Sequence, residues 1–234
     1  MSNILILGAG SMGTAFSFPC SDNGHSVSIV GTHLENDFVD KINSTKKHPA
    51  LDCEVQKNVK FFKFEKLKEE INKKIDLIVI AVVSKGVEWA SNEISKVLKS
   101  NVPILILTKG LAINNNNYEV LAHKMERLLK KNGMKETNIS AAGGPCLAKN
   151  LANKAHTAVV FANNDIKIAE KISKLVSTDY YHVSTSDDVV GVEACAAIKN
   201  IFSMAVGASQ GLCDAKQSKE KNYLNTAAAL MQES

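Results

Sequence analysis

Short apolar runs rich in β-branched residues alternate with amphipathic segments along most of this chain. Residues 3–7 are followed by a helical period over 12–23, residues 26–30 by 35–43, and residues 75–82 by 87–99. The alternation continues through 104–108, 118–131, 139–142, 146–153, 157–161, 166–177 and 181–184. A run such as Leu77-Ile78-Val79-Ile80-Ala81-Val82 is apolar on both faces, which suits a strand covered on both sides. Helical crossovers between such strands make the sheet mostly parallel, so residues 1–185 are expected to form one α/β domain with helices on both faces. After Ser186 an Ala- and Val-rich segment with a helical period runs from 187 to 211, then a Lys-rich connection, then a further helical stretch from Asn222. Residues 186–234 therefore read as the beginning of an all-helical second domain. The ending Met231-Gln232-Glu233-Ser234 carries no Gly, Asn or Pro stop signal, so the chain is expected to be truncated within a helix.

Composition narrows the class. The 234 residues are 45% hydrophobic and 22% charged, enough to fill a core and too apolar for a disordered chain. The net charge of +4 comes from scattered lysines, with Arg127 the only arginine, so no nucleic-acid footprint is expected and attraction of small anions is the milder reading. Five cysteines, Cys20, Cys53, Cys146, Cys195 and Cys213, lack paired spacing and read as reduced thiols in a cytoplasm. The apolar run at Ile4 lacks a basic leader, and the apolar stretches are expected to fall short of the ~20 residues that span a bilayer, so no membrane insertion is anticipated.

The first strand runs directly into Gly8-Ala9-Gly10-Ser11-Met12-Gly13, a Gly-x-Gly-x-x-Gly turn that opens a helix. In that context the glycines permit a tight turn (Gly8), close approach of a pyrophosphate (Gly10) and helix–strand packing (Gly13), the arrangement of a Rossmann-type dinucleotide domain. The helix start supplies free N–H groups and a favourable dipole for the anion. A second strand that ends in a carboxylate would select NAD, and an arginine there NADP. Here it ends Ile29-Val30-Gly31-Thr32-His33, with no carboxylate until Glu35 and no arginine, so the cofactor is NAD or NADP. Thr32 and His33 are the candidate contacts to a 2′-phosphate, with a plain loop role for His33 equally open.

Two lysines stand apart from the surface ones. Lys109 ends an apolar strand, at the sheet edge where ligands bind. Lys199 lies in Glu193-Ala194-Cys195-Ala196-Ala197-Ile198-Lys199-Asn200, where small apolar neighbours and a second ammonium would make it a usable proton acceptor. On spacing alone, a lysine reaching out to solvent fits equally well. The turn Gly143-Gly144-Pro145-Cys146 again sets small residues at a strand end, and Cys146 beside a helix start is a candidate reactive thiol with no visible activating base. The histidines show no metal-like spacing, so no metal is expected.

Together these stretches resemble the NAD(P)-dependent glycerol-3-phosphate dehydrogenases. The resemblance rests on Gly8 to Ala15, Thr108-Lys109-Gly110-Leu111, Gly144-Pro145-Cys146-Leu147-Ala148-Lys149, Ala197-Ile198-Lys199-Asn200 and Asn225-Thr226-Ala227-Ala228-Ala229, in the family's order across the whole chain. It implies that Lys199 is the general acid/base for the C2 hydroxyl of sn-glycerol 3-phosphate while hydride passes between substrate and nicotinamide. Lys109 would contact both substrate and cofactor. Gly144, Cys146 and Asn200 would bind the small phosphorylated substrate, and Ser11, Met12 and Ala148 the cofactor. The chain departs from the family pattern in having Cys146 for Ser or Thr and Thr32 for Arg, and the family's phosphate-binding stretches would lie beyond Ser234. A lysine-dependent reductase of ketopantoate type and a catalytically silent dinucleotide-binding module are the alternatives, and a homodimer is left open.

Overall fold

The computed structural model describes residues 1–51, 53–98 and 101–215. Its centre is an eight-stranded sheet built from β1 (Asn3–Leu7), β2 (Ser26–Val30), β5 (Val59–Phe62), β6 (Leu77–Ile80), β7 (Ile104–Ile106), β10 (Ile139–Gly143), β11 (Thr157–Ala162) and β12 (Tyr181–Ser186). Two small ribbons, β3 (Lys47–His48) with β4 (Cys53–Glu54) and β8 (Leu111–Asn114) with β9 (Asn117–Val120), lie outside it. The strand order is β12-β11-β10-β7-β6-β1-β2-β5. All neighbours run parallel except β10 and β11, which are antiparallel with Ala142 opposite Phe161.

The helices are α1 (Ser11–Asp22), α2 (Asn36–Thr45), α3 (Leu67–Ile71), α4 (Val87–Val97), α5 (Leu121–Lys131), α6 (Ala148–Ala152), α7 (Ile166–Val176) and α8 (Val189–Ala215). Alternation along β1 shows why both faces must be covered. Ile4 and Ile6 join a core with Phe16 of α1, Val39 of α2, Leu151 of α6 and Ile172 of α7. Leu5 and Leu7 join the opposite core with Ile94 of α4, Met125 of α5 and Leu67 of α3. Every one of these side chains is at most 4% exposed, so β1 removes both its faces from water at roughly 25 cal/mol per Å². The fold is the mostly parallel, doubly covered α/β sheet expected from the sequence, followed by a helical segment.

Three local expectations are corrected. The helix anticipated from Tyr118 starts at Leu121, because residues 117–120 form β9 instead. Asn115 and Asn116 at φ +50° and +62° close the β8–β9 hairpin, and two consecutive left-handed asparagines match the twist of paired strands better than a helical start does. The short β5, which adds the outer strand beside β2, was hidden by the Lys-rich run around it. Last, the apolar stretches do reach membrane length. The segment Val189–Ser209 of α8 is 21 residues long and, among the described residues, is the one helical stretch apolar enough by length and composition to cross a membrane. Its apolarity is explained in part by packing: Val189 and Ala196 are buried and the helix lies against β10. The Lys-rich connection, the stretch from Asn222, the Asn225 to Ala229 motif and the chain end fall outside the described residues.

Candidate functional site

The first half of the site is the turn between β1 and α1. Gly8 has φ +115°, and a Cβ there would lie 2.6 Å from the Ala81 carbonyl oxygen, so only glycine fits. A Cβ on Gly13 would lie 2.2 Å from the Gly8 carbonyl oxygen, so α1 sits directly on the turn. At Gly10 the nearest atom to such a Cβ is Glu35 Oε1 at 3.7 Å, which leaves the outer side of the turn open. Gly10 is the N-cap of α1 with no side-chain cap, and the first turn holds no acidic residue. The N–H groups of the first turn are therefore left uncapped by any side chain, as an anion-binding helix start requires. Two glycines demanded by packing, a third leaving space and an uncapped helix start fit the pyrophosphate of a dinucleotide.

The chain after β2 folds back over that turn. Glu35 Oε2 accepts hydrogen bonds from the N–H of Thr32 at 2.7 Å and the N–H of Ala9 at 3.1 Å, tying the second strand's loop to the first strand's turn. Thr32 is half-buried, and its backbone carbonyl accepts from Glu35 N–H at 2.9 Å, closing a turn over residues 32–35. His33 packs its ring 4.9 Å from Trp89 and 6.3 Å from Phe64, centroid to centroid, so it belongs to an aromatic cluster at the rim. Beneath Ala9, His48 is 1% exposed; burial pushes its pKa down, opposed by hydrogen bonding at Ala9 and by the charge of Glu35.

The second half lies across β6 from the first, about 10 Å away at two strand spacings. Thr108 Oγ1 donates to the Val82 carbonyl at 2.6 Å and closes the end of β7 onto β6. The next residue, Lys109, donates from Nζ to the Gly144 carbonyl at 2.9 Å. Gly144 takes φ +124°, and a Cβ on it would crowd Ala158 O and Val159 Cα at 3.0 Å. Lys109 lies beside Lys199, and its pKa is lowered first by burial and then by the Lys199 charge, with Cys146 opposing.

Lys199 reaches this place because α8 packs tightly on β10. A Cβ on Gly143 would lie 2.7 Å from Val192 Cγ1, so glycine admits the helix. One residue on, Glu193 is 4% exposed and accepts from the Ala122 N–H at 2.9 Å. It thereby caps α5, whose own N-cap, Val120, offers no side chain and whose first turn has no acid. Burial pushes the Glu193 carboxyl up to about 7, and its Oε1 has no partner.

The structure thus brings Lys109, Lys199, Gly144 and Cys146 together, and sets Ala148 on α6, which packs against α1. Asn200 is exposed, outside the cluster's hydrogen bonds. The reactive-thiol reading of Cys146 is corrected: its residue precedes α6 and is buried, which pushes its pKa up despite the two lysines. Arg127, the lone arginine, is spent on a bidentate pair with Glu119. Sequence reasoning passed over Glu35, His48 and Glu193. The Thr32-x-x-Glu35 spacing was the available signal for the first, and an acid inside an apolar helix for the last.

Residues 3–169 match the model of the NAD-dependent glycerol-3-phosphate dehydrogenase N-terminus. The chain belongs to that family. It is 31% identical over 208 residues to the NADP(+)-dependent glycerol-3-phosphate dehydrogenase of Archaeoglobus fulgidus, covering 89% of this chain and 60% of that protein. With the glycerol-3-phosphate dehydrogenase [NAD(P)+] of Exiguobacterium sp. it shares 30% identity over 216 residues, 91% of this chain and 60% of the relative. The chain therefore spans about 60% of the length of these relatives. Among solved structures, glycerol-3-phosphate dehydrogenase from Coxiella burnetii superposes with a TM-score of 0.76 at 26% identity, over 99% of this chain and 65% of that one. The Plasmodium falciparum enzyme, at 20% identity and a TM-score of 0.79, shares the fold.

Proposed function

We propose that this chain holds NAD or NADP along the crevice from the β1–α1 turn to the end of β7 and interconverts sn-glycerol 3-phosphate and dihydroxyacetone phosphate. The observation that carries the reading is the meeting of Lys109 and Lys199 at the Gly144 turn, on the same sheet as the glycine turn with β6 and β7 between β10 and β1. When bound, the dinucleotide supplies or accepts the hydride at C2. The protein's own task is the proton. Lys199 takes it from the C2 hydroxyl as the carbonyl forms, and returns it in the reverse direction. Lys109, anchored on the Gly144 carbonyl, keeps a second cation beside the reacting oxygen and the substrate phosphate. Gly144 and Cys146 shape the wall of that pocket, and burial favours the thiol form of Cys146, a weak hydrogen-bonding group.

A second reading is favoured by one observation. Arg127 is held by Glu119, so the described residues offer lysines but no unengaged guanidinium for the substrate phosphate. A dinucleotide-binding module without turnover would look the same. Titration with NADH and NADPH, followed by oxidation assays with dihydroxyacetone phosphate and with ketopantoate, separates the readings. Lys199→Ala is expected to lower turnover of dihydroxyacetone phosphate by about 10²–10⁴ while cofactor affinity stays within a few-fold. An unchanged rate removes Lys199 from the mechanism. Turnover of ketopantoate alone reassigns the substrate, and cofactor binding without any turnover leaves the silent module.

A further inference from the structure

We infer that Glu193 is a positioning residue for the proposed reaction: by accepting from the Ala122 N–H it sets the distance between Lys199 and Lys109; this rests on the lysine reading above. The two segments that Glu193 joins are the two that carry the lysines. Lys109 is followed by Gly110 and the β8–β9 hairpin, in which Leu111 pairs with Val120. That pairing returns the chain to where the hairpin began. Leu121, the first residue of α5, therefore lies beside Gly110, its Cδ1 4.0 Å from where a Gly110 Cβ would be. The N–H that Glu193 Oε2 holds at 2.9 Å belongs to the next residue, Ala122. The clasp on α5 is thus also a clasp on the strand end that presents Lys109.

On its other side α8 needs such a fixed point. Its docked part carries Val189, Val192, Glu193 and Ala196, and Ala196 is the last buried residue of the helix among those described. Lys199 stands three residues past it and about 9 Å of helix beyond Glu193, so its place is inherited from contacts upstream. The apolar contacts there are non-directional and tolerate a small slide or rotation of the helix. A hydrogen bond to an N–H whose direction is set by α5 does not. Among the described residues Glu193 is the one buried polar side chain of α8, and its Oε1 has no partner. Burying a carboxyl with an oxygen unsatisfied is costly, and an apolar side chain would pack there without that cost. What the carboxyl adds is register. Register matters because two ammonium groups side by side repel, and the elements that carry them must be tied to keep them together. The groups acting on Lys109 are Lys199 from α8 and Cys146 from the Gly144 turn, with burial the largest cause of its lowered pKa.

The test reads the lysine pair directly. In the chain prepared with lysine isotopically labelled at Cε, the Lys109 resonance, assigned by its loss in Lys109→Met, is titrated by NMR in the unaltered chain, Lys199→Ala, Glu193→Ala and Glu193→Gln. Lys199→Ala is expected to raise the Lys109 midpoint by at least about half a pH unit, since a neighbouring like charge is removed. Glu193→Ala is expected to raise it nearly as far, because α8 is no longer tied. Glutamine keeps an oxygen for the Ala122 N–H at the same reach and is expected to leave the midpoint within about 0.2 of a unit of the unaltered chain. A kinetic split accompanies the titration: Glu193→Ala lowers kcat for dihydroxyacetone phosphate by about tenfold or more, the NADH dissociation constant stays within about twofold, and Glu193→Gln restores most of kcat. A Lys109 midpoint unmoved in Glu193→Ala overturns the assignment. So does a loss of kcat and NADH affinity together, which would make Glu193 a cap of α5 and nothing more. If Glu193→Ala fails to fold by circular dichroism, Glu193→Asp, one methylene shorter, takes its place with the same expectation, and if the unaltered chain does not turn over, the titrations decide alone. Failure of Lys199→Ala to move Lys109 overturns the pairing of the lysines itself, an outcome distinct from loss of the clasp.

Discussion

The glycine-turn half of the site and the lysine half are built by different means. At the turn, backbone meets backbone: Gly8 against Ala81, Gly13 against Gly8, and a carboxylate whose partners are two N–H groups. Across β6, side chains of two distant segments must meet, one of them carried on α8, whose Val190, Ile198, Ile201 and Met204 remain exposed. The first half is fixed by close backbone contacts within the sheet, and the second by how one helix is docked. Binding of a dinucleotide and chemistry on a substrate thus depend on parts of different rigidity.

The largest effect that would sharpen this contrast is steric. Gly13→Val is expected to cost about 3 kcal/mol or more, because its Cβ must displace backbone, and to abolish dinucleotide binding. Gly10→Ala, facing open space, should leave thermal stability nearly unchanged while weakening NADH binding, as a melting curve with and without ligand would show. If both glycines tolerated alanine equally, the turn would not be the rigid half.

A smaller effect is expected at the docking point of α8. Glu193→Ala leaves the start of α5 uncapped and should cost about 1–3 kcal/mol in chemical denaturation. The folded pKa of Glu193, pushed up to about 7 from 4.5, also has a signed consequence. Between these values the folded chain holds a proton that the unfolded chain has lost, so the stabilisation is full below pH 4.5 and disappears as pH rises through 7. Glu193→Gln should flatten that slope in denaturation curves recorded from pH 5 to 8. A slope unchanged by the substitution would detach the titration from α8. Smallest of all, Arg127→Ala is expected to lower the melting temperature only slightly and to leave NADH affinity where it was, since its ion pair with Glu119 is partly exposed and lies outside the lysine cluster. A loss of affinity there would bring Arg127 into the site.

How much of this was legible in the sequence follows the same division. Strands β1 and β2 and the glycine turn could be read directly, because short apolar runs and a glycine motif are local signals. The alternation also gave the doubly covered sheet, since Ile4 and Leu5 must enter different cores. The hairpin at Asn115 and Asn116 was lost to the strong helical period that follows it. Glu35 was legible as a residue but not as the clasp on the glycine turn, because its position is set by a loop that turns back five residues after β2 ends. Glu193 was read merely as a neighbour of Lys199; its partner, Ala122, lies 71 positions away in the chain. Long-range capping leaves no periodic trace.

The order of strands also sets the order in which a growing chain can assemble them. β1, the first strand made, ends in the interior of the sheet, with β2 and β5 on one flank and β6 on the other. By the time Ile80 has been added, every strand around the glycine turn exists. Gly144 and Lys199 come much later, and at ~5–20 residues per second the delay to Lys199 is on the order of ten seconds. During that interval a nascent chain would carry the glycine turn and its flanking strands, but neither the α6 and α7 side chains that complete the core beneath α1 nor the proton acceptor. Cofactor present during synthesis could then act as a template, stabilising the early half against which the late strands and α8 are added.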